Sequence, residues 1–435
     1  MSDEWKAMSN EWKAMSNELL MRSLVKPHTS PSPSSSPLKG GERLQPSPLE
    51  GEGKGEGALL MNSLVTTGTR TGKTGAALLL CLAILLVCSF AGAEWKEVAG
   101  PRVWSFPPDH GSHEDYRTEW WYFTGNLRDG EGRQYGYQLT FFRQGLRMIP
   151  VDSSSPWSVR NLYLAHFTIT DVSGGRFHVA ERTSRTGPGL AGARDDGMDI
   201  RLLNWSTTMK NGAIFLEARN GANAVYLELV PRKPPVLHGT GGISRKGPDH
   251  GQGSYYSSLT DLGTSGWLKM GGTRIPVRGT SWFDHEFGSN QLRPDQAGWD
   301  WYGLHLSDGR DLMLYIIRKT DGSVEPASSG TLVEKDGTTR HLALSGVSVD
   351  ILGHWKSPRS KAAYPSNWRI RVPSAGIDVT FSALIPDQEL ITTESTGIIY
   401  WEGAVLGKGK SGRVPINCEG YAEMTGYAGA LGGMF

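Results

Sequence analysis

The chain has 435 residues, with 45 Lys and Arg against 44 Asp and Glu, a formal net charge of +1 and 38% apolar side chains. That balance, without any Lys/Arg stripe, excludes an electrostatic nucleic-acid binder. Of three cysteines only Cys418 lies beyond the apolar leader, so the mature chain has no intrachain disulfide and must be held by its core.

In chain order, the heptapeptide from Glu4 to Asn10 recurs at once from Glu11 to Asn17, and a Pro/Ser/Gly-rich tract runs from Pro27 to Gly57. Such a composition buries too little apolar area to offset chain entropy and reads as a disordered leader over 1–60, with Met61 as an alternative start. From Met61, Arg70 and Lys73 precede the 15-residue apolar run Ala76 to Phe90, and Ala91-Gly-Ala93 follows it. This is the pattern of a secretory signal peptide over 61–93, too short for a comfortable membrane span. It predicts a periplasmic or secreted protein, with an uncleaved anchor as the alternative.

Beyond Glu94 the pattern is alternation. Glu119 to Leu127 and Tyr135 to Arg143 flank an Asp-Gly turn and predict a hairpin. Asn161 to Thr170 is a further strand, and Ala213 to Ala218 pairs with Ala224 to Val230 across Asn220-Gly221. Later strands are predicted at 312–318, 331–334, 341–344, 368–372, 377–381, 397–403 and 420–427. No convincing long helix interrupts them, so the fold class is all-β, of barrels or sandwiches. A polar segment near Ser289 to Gln296 divides the mature chain into 97–290 and 296–435. The halves share a tryptophan-bearing first strand, an Asp-Gly turn and a strand ending in arginine (Arg143, Arg318), a weak internal duplication.

Three stretches mix acids, histidines and large aromatics: Asp109-His-Gly-Ser-His-Glu-Asp-Tyr-Arg-Thr-Glu-Trp-Trp-Tyr122, Gly279-Thr-Ser-Trp-Phe-Asp-His-Glu-Phe-Gly288 and Gly298-Trp-Asp-Trp-Tyr-Gly303. Ionisable groups beside apolar rings are costly unless paired, and they gather where chemistry happens. With Leu162 to Asp171 and Gly420 to Tyr427, these motifs occur in an order that resembles the AttH-like secreted proteins, often labelled predicted hydrolases and related to the carotenoid 1,2-hydratases (hydroxyneurosporene synthases). The resemblance covers about Trp104 to Tyr427. It implies two tandem lipocalin-like (calycin) antiparallel β-barrels, an apolar lipid or isoprenoid ligand, and hydration of a carbon–carbon double bond without cofactor in the hydratase branch. The hydratases' Asp-His pair carries over to Asp284 and His285; their following Asn and Trp are Glu286 and Phe287 here, a departure from the hydratase pattern.

The residues themselves allow several readings. Asp284 or Asp300, kept neutral by burial, suits an acid that protonates an alkene, with His285 as base toward water and Glu286 beside them. Trp282, Trp299, Trp301, Tyr302, Trp120 and Trp121 suit a wall for an apolar ligand or its cation, with Glu119 and His166 as polar contacts. Trp120 or Trp121 with Arg143, and Trp299 or Trp301 with Arg318, read equally as barrel plugs, and His166 as a satisfied interior histidine. A Ser281–His285–Asp284 triad lacks a nucleophile elbow. A metal held by His110, His113 and His285 is the weaker alternative to no cofactor and no metal. The leading expectation is therefore an exported hydratase or hydrolase of lipid metabolism acting on a hydrophobic small molecule. The alternatives are a non-catalytic lipid carrier and an envelope accessory associated with a membrane transport system.

Overall fold

The computed structural model describes residues 94–148, 159–187 and 189–434. The leader repeat, the Pro/Ser-rich tract and the signal segment lie outside the described residues.

The chain forms β1 (Thr118–Arg128), β2 (Gln134–Gly145), β3 (Asn161–Asp171), β4 (Arg176–Arg185), β5 (Ala191–Ala193), β6 (Asp199–Leu202), β7 (Trp205–Lys210), β8 (Ala213–Asn220), β9 (Asn223–Pro231), β10 (Val236–Leu237), β11 (Ile243–Arg245), β12 (Gly253–Met270) and β13 (Thr273–Asn290). There follow β14 (Gln296–Leu306), β15 (Asp311–Lys319), β16 (Ser329–Val333), β17 (Thr339–Ala343), β18 (Ser348–Lys356), β19 (Ala363–Val372), β20 (Ile377–Ala383), β21 (Glu389–Ile391), β22 (Ile399–Ser411) and β23 (Val414–Met424). Every pairing is antiparallel. The first sheet runs β4-β3-β2-β1-β13-β12-β9-β8-β7-β6-β5 and the second β17-β16-β15-β14-β23-β22-β20-β19-β18. One is a nearly closed barrel and the other a half-barrel, the tandem lipocalin-like arrangement.

Both sheets use the same seam. The first strand of each, β1 or β14, pairs with the next strand on one side and with the last strand, β13 or β23, on the other. The seams are tight enough to need glycine. A Cβ at Gly279 would lie 1.9 Å from the Asn126 carbonyl oxygen, and one at Gly420 would lie 1.9 Å from that of Gly303. The long pair β12–β13 was not among the predicted strands. Its outward positions Ser254, Ser258 and Asp284 are polar because they face the other barrel, so no clean apolar alternation marks it. Gly271 and Gly272, with φ of 56° and 91°, supply the two-residue hairpin turn.

Each barrel has its own core. Trp121, Phe123, Leu139, Phe141, Phe167, Trp205 and Phe283 fill the first, and Tyr302, Leu304, Trp368, Phe381 and Trp401 the second. A third cluster, with Tyr122, Tyr256, Trp282, Trp301, Tyr315 and Tyr400, takes residues from both sheets. Hydrogen bonds lock this junction. Asn126 Nδ2 donates to the Gly420 carbonyl at 2.9 Å, His238 meets Thr331 Oγ1 at 2.9 Å, and buried Lys233 pairs with Asp311 at 2.7 Å. The barrels therefore dock as one body with a polar, specific interface.

Candidate functional site: an acid-lined cavity between the barrels

Register builds the cavity wall. In the first sheet His166, Thr140, Tyr122, Asp284 and Ser258 lie side by side across β3, β2, β1, β13 and β12, and Phe142, Trp120, Glu286 and Tyr256 form the next row. In the second sheet Tyr315, Trp301, Glu423 and Glu402 lie side by side across β15, β14, β23 and β22. Because alternate residues of a strand share a face, these rows look toward each other. They enclose a cavity of about 110 Å³, lined also by Trp299, Ile317, Tyr400 and Lys246.

Three carboxyls enter this aromatic space without an opposing arginine. Asp284 is buried, and its oxygens accept from Tyr256 Oη at 2.6 Å, Trp282 Nε1 at 2.6 Å and Ser258 Oγ. Burial pushes its pKa up to about 7 against those donors. Glu423 accepts from Trp299 Nε1 at 2.8 Å; burial, with the Asp284 and Glu286 charges adding, raises it to about 7 as well. Glu402 is 1% exposed. Neither of its oxygens meets a donor at hydrogen-bonding geometry among the described residues, although the Tyr122 phenol is close enough to act on it. Burial and then the Glu423 charge hold Glu402 well above the usual carboxylate range. The fourth acid, Glu286, is neutralised by Lys246 at 2.8 Å. His166, held between Tyr400 Oη at 2.7 Å and Ser395 Oγ at 2.9 Å, is driven to about 3 by burial and stays neutral. Trp301 Nε1 donates to Tyr256 Oη at 3.0 Å, tying the second barrel to the Asp284 network.

Several expected site residues lie elsewhere. His285 is on the opposite face of β13 from Asp284, inside the first barrel, stacked on Trp121 at 5.2 Å and bonded to Glu119 Oε1 at 2.9 Å. The expected acid–base couple of Asp284 with His285 therefore does not form, because successive strand residues point to opposite faces. The same geometry puts Asp284 on the other face from Ser281, and Ser281, though on the His285 face, lies four residues along the strand, where it bonds Tyr137 and Thr264, so no triad forms. Asp300 and Tyr302 face into the second barrel; Asp300 pairs with Arg318 at 3.0 Å and accepts from Tyr427 Oη at 3.1 Å. Trp121 is core, donating to the His110 carbonyl oxygen at 3.0 Å, and Glu119 pairs with Arg143 at 2.9 Å. His110 packs against Phe106 and Phe283 rather than joining His113 and His285. Trp120, Trp299, Trp301, His166, Asp284 and Glu286 do line the cavity, and Trp282 supports it through Asp284. Sequence reasoning assigned no role to Glu402, Glu423, Tyr122, Tyr256, Tyr400 or Lys246. The available signal was an acid in period-two register with Tyr400 and with Tyr421 on strands that otherwise read as core.

Fold and cavity together define a tandem lipocalin-like protein with an acidic, aromatic chamber between its barrels. The sequence model described as AttH-like matches residues 97–427, and the chain belongs to that family. A crystal structure described as an AttH from Nitrosomonas europaea is 33% identical, covers 76% of this chain and 99% of its own, and superposes with a TM-score of 0.68. Kievitone hydratase from Nectria haematococca, at 14% identity and a TM-score of 0.58 over 77% of this chain and 96% of its own, shares the fold. No curated protein matches the chain in sequence.

Proposed function

We propose that this protein is an exported enzyme that adds water to a carbon–carbon double bond of a hydrophobic small molecule, of lipid or isoprenoid class, held between its barrels. The observation that carries this reading is the set of three buried carboxyls, Asp284, Glu402 and Glu423, facing one aromatic-walled cavity, each with its pKa raised by burial. An alkene is protonated only by a positioned acid, and a carboxyl that stays neutral at working pH is suited to that task. In this scheme Glu402 gives its proton to one alkene carbon. The cation left on the other carbon is met by the faces of Trp120, Tyr122 and Trp301, each worth about 0.5–2 kcal/mol. Water then attacks, and its proton passes to ionised Asp284, whose Tyr256 and Ser258 contacts hold the carboxylate in place. The net change is addition of one water molecule, and the protons are redistributed between the acids before the next turnover.

A carrier would pair these acids with arginines, but among the described residues the only cation lining the cavity is Lys246, already matched to Glu286. That favours catalysis over storage. Kievitone hydratase joins the same fold to a hydration in its name, which makes the reading coherent without carrying it. Nothing in the comparisons favours a transport-system accessory. Native mass spectrometry of the protein purified from its own cell envelope should identify a co-purified hydrophobic molecule and, by the fraction in which the protein is found, test export. Incubating that molecule or an acyclic isoprenoid alkene with the protein in isotopically heavy water should place one heavy oxygen in the product. Failure of the wild type to incorporate it beyond a Glu402→Gln control would remove the hydratase reading.

A further inference from the structure

A second cluster of titratable groups lies on the other face of β1 and β13, with no part in the cavity. His285 presents Nδ1 to the Asp109 carbonyl oxygen at 3.0 Å and Nε2 to Glu119 Oε1 at 2.9 Å. His113, on the segment leading into β1, presents Nδ1 to the same Glu119 oxygen at 2.8 Å and Nε2 to Asp109 Oδ1 at 3.2 Å. All of these partners are acceptors. A neutral imidazole carries a single N–H, so each ring is left with one nitrogen lone pair aimed at an oxygen lone pair. The arrangement is satisfied only if two further positive equivalents are present: two protons, or one divalent cation.

The surrounding contacts favour the cation. We propose that His113 Nδ1, His285 Nε2 and Glu119 Oε1, which lie within 4.8 Å of one another, bind a divalent transition metal of the zinc class. Metal-ligating histidines typically give their second N–H to a carbonyl or carboxylate, and ligating carboxylates are themselves held. Here the second nitrogen of His285 meets a backbone carbonyl and that of His113 meets Asp109, which Arg102 in turn engages. Glu119 Oε2 is fixed by Arg143 Nε at 2.9 Å and Ser112 Oγ at 3.3 Å. Two imidazolium rings with centroids 5.5 Å apart, plus Arg143, would set three full cations around one carboxylate whose side chain has no exposure. One metal replaces the two protons and bonds all three ligand atoms, the His₂Glu set of zinc enzymes with a position left open. Its effect here is structural: it staples the segment from Pro101 to Arg117 onto the end of the first barrel. His113 is the partly exposed corner, at 13% for its side chain, and is the route of entry.

The full chain, loaded with zinc and dialysed against metal-free buffer without chelator, should retain about one zinc per chain by elemental mass spectrometry. Chelator should lower the melting temperature by several degrees and added zinc restore it. Cobalt in place of zinc should give the visible absorption of a low-coordinate nitrogen and oxygen site. His113→Ala, made at the exposed corner, should lose the metal while keeping the wild-type far-ultraviolet dichroism. If that variant misfolds, the chelator and zinc response of the wild type decides alone. A wild type with far less than one metal per chain, or a melting temperature indifferent to both chelator and zinc, overturns the proposal and assigns two protons to the cluster. Metal retained in full by folded His113→Ala overturns it too, because the ion would then sit elsewhere.

Discussion

On β13 the side chains of Asp284 and Glu286 point into the chamber between the barrels, those of Phe283 and His285 point into the first barrel, and Phe287, on the same face as these, packs with Val98 and Tyr255. On the chamber side the acids meet hydroxyls, indole N–H groups and one lysine, and burial drives Asp284 toward neutrality. On the barrel side Glu119 meets Arg143 and two imidazoles, and Phe287 stacks flat on His113 with ring centroids 3.6 Å apart. The paired strands β1 and β13 thus carry one face whose acids are left short of cations and one whose acid, Glu119, is held by an arginine and two imidazoles. The contrast separates function from scaffold: a buried acid without a counter-ion is poised to move a proton, whereas a matched one holds structure.

Breaking the chamber side should have the largest effect. Glu402→Gln, nearly isosteric, should lower turnover by about 10²–10⁴-fold with an unchanged denaturation midpoint, read by product formation and urea titration in parallel. Asp284→Asn should lose a comparable factor. Breaking the barrel side should reverse the pattern. Glu119→Ala strands the Arg143 guanidinium and should cost about 3–5 kcal/mol of stability, while the turnover of the molecules still folded stays near wild type.

The pH dependence of stability sharpens the contrast further. Asp284 rises from 3.8 to about 7 on folding. Its contribution is therefore fully present below about pH 4 and is lost as pH rises through 7. The amount is on the order of 4 kcal/mol by linkage, and Asp284→Asn should flatten that part of the curve in urea titrations. Hydration itself should rise with pH as Asp284 ionises near 7 to serve as the base, and fall where Glu402, the proton donor, ionises in turn. The smallest expected effect concerns binding. A lipophilic tertiary amine should bind about tenfold more tightly than its neutral isostere, since the aromatic faces and acids suit a cation. Tryptophan fluorescence titration would read the difference, and equal affinities would argue against a cationic intermediate.

Much of this protein was legible along the chain. Turn pairs such as Asp129-Gly130 and Asn220-Gly221 between alternating runs announced antiparallel strands, because side-chain alternation and turn conformations are local properties. The motifs around Glu119, Asp284 and Trp301 marked where acids and rings concentrate. What remained hidden was which neighbours share a face. Asp284 and His285 are adjacent in sequence and diverge in space, whereas Asp284 and Glu402 are over a hundred positions apart and open onto one chamber. Strand register and the docking of two sheets settle those partnerships, and both depend on contacts between distant segments that no local pattern encodes.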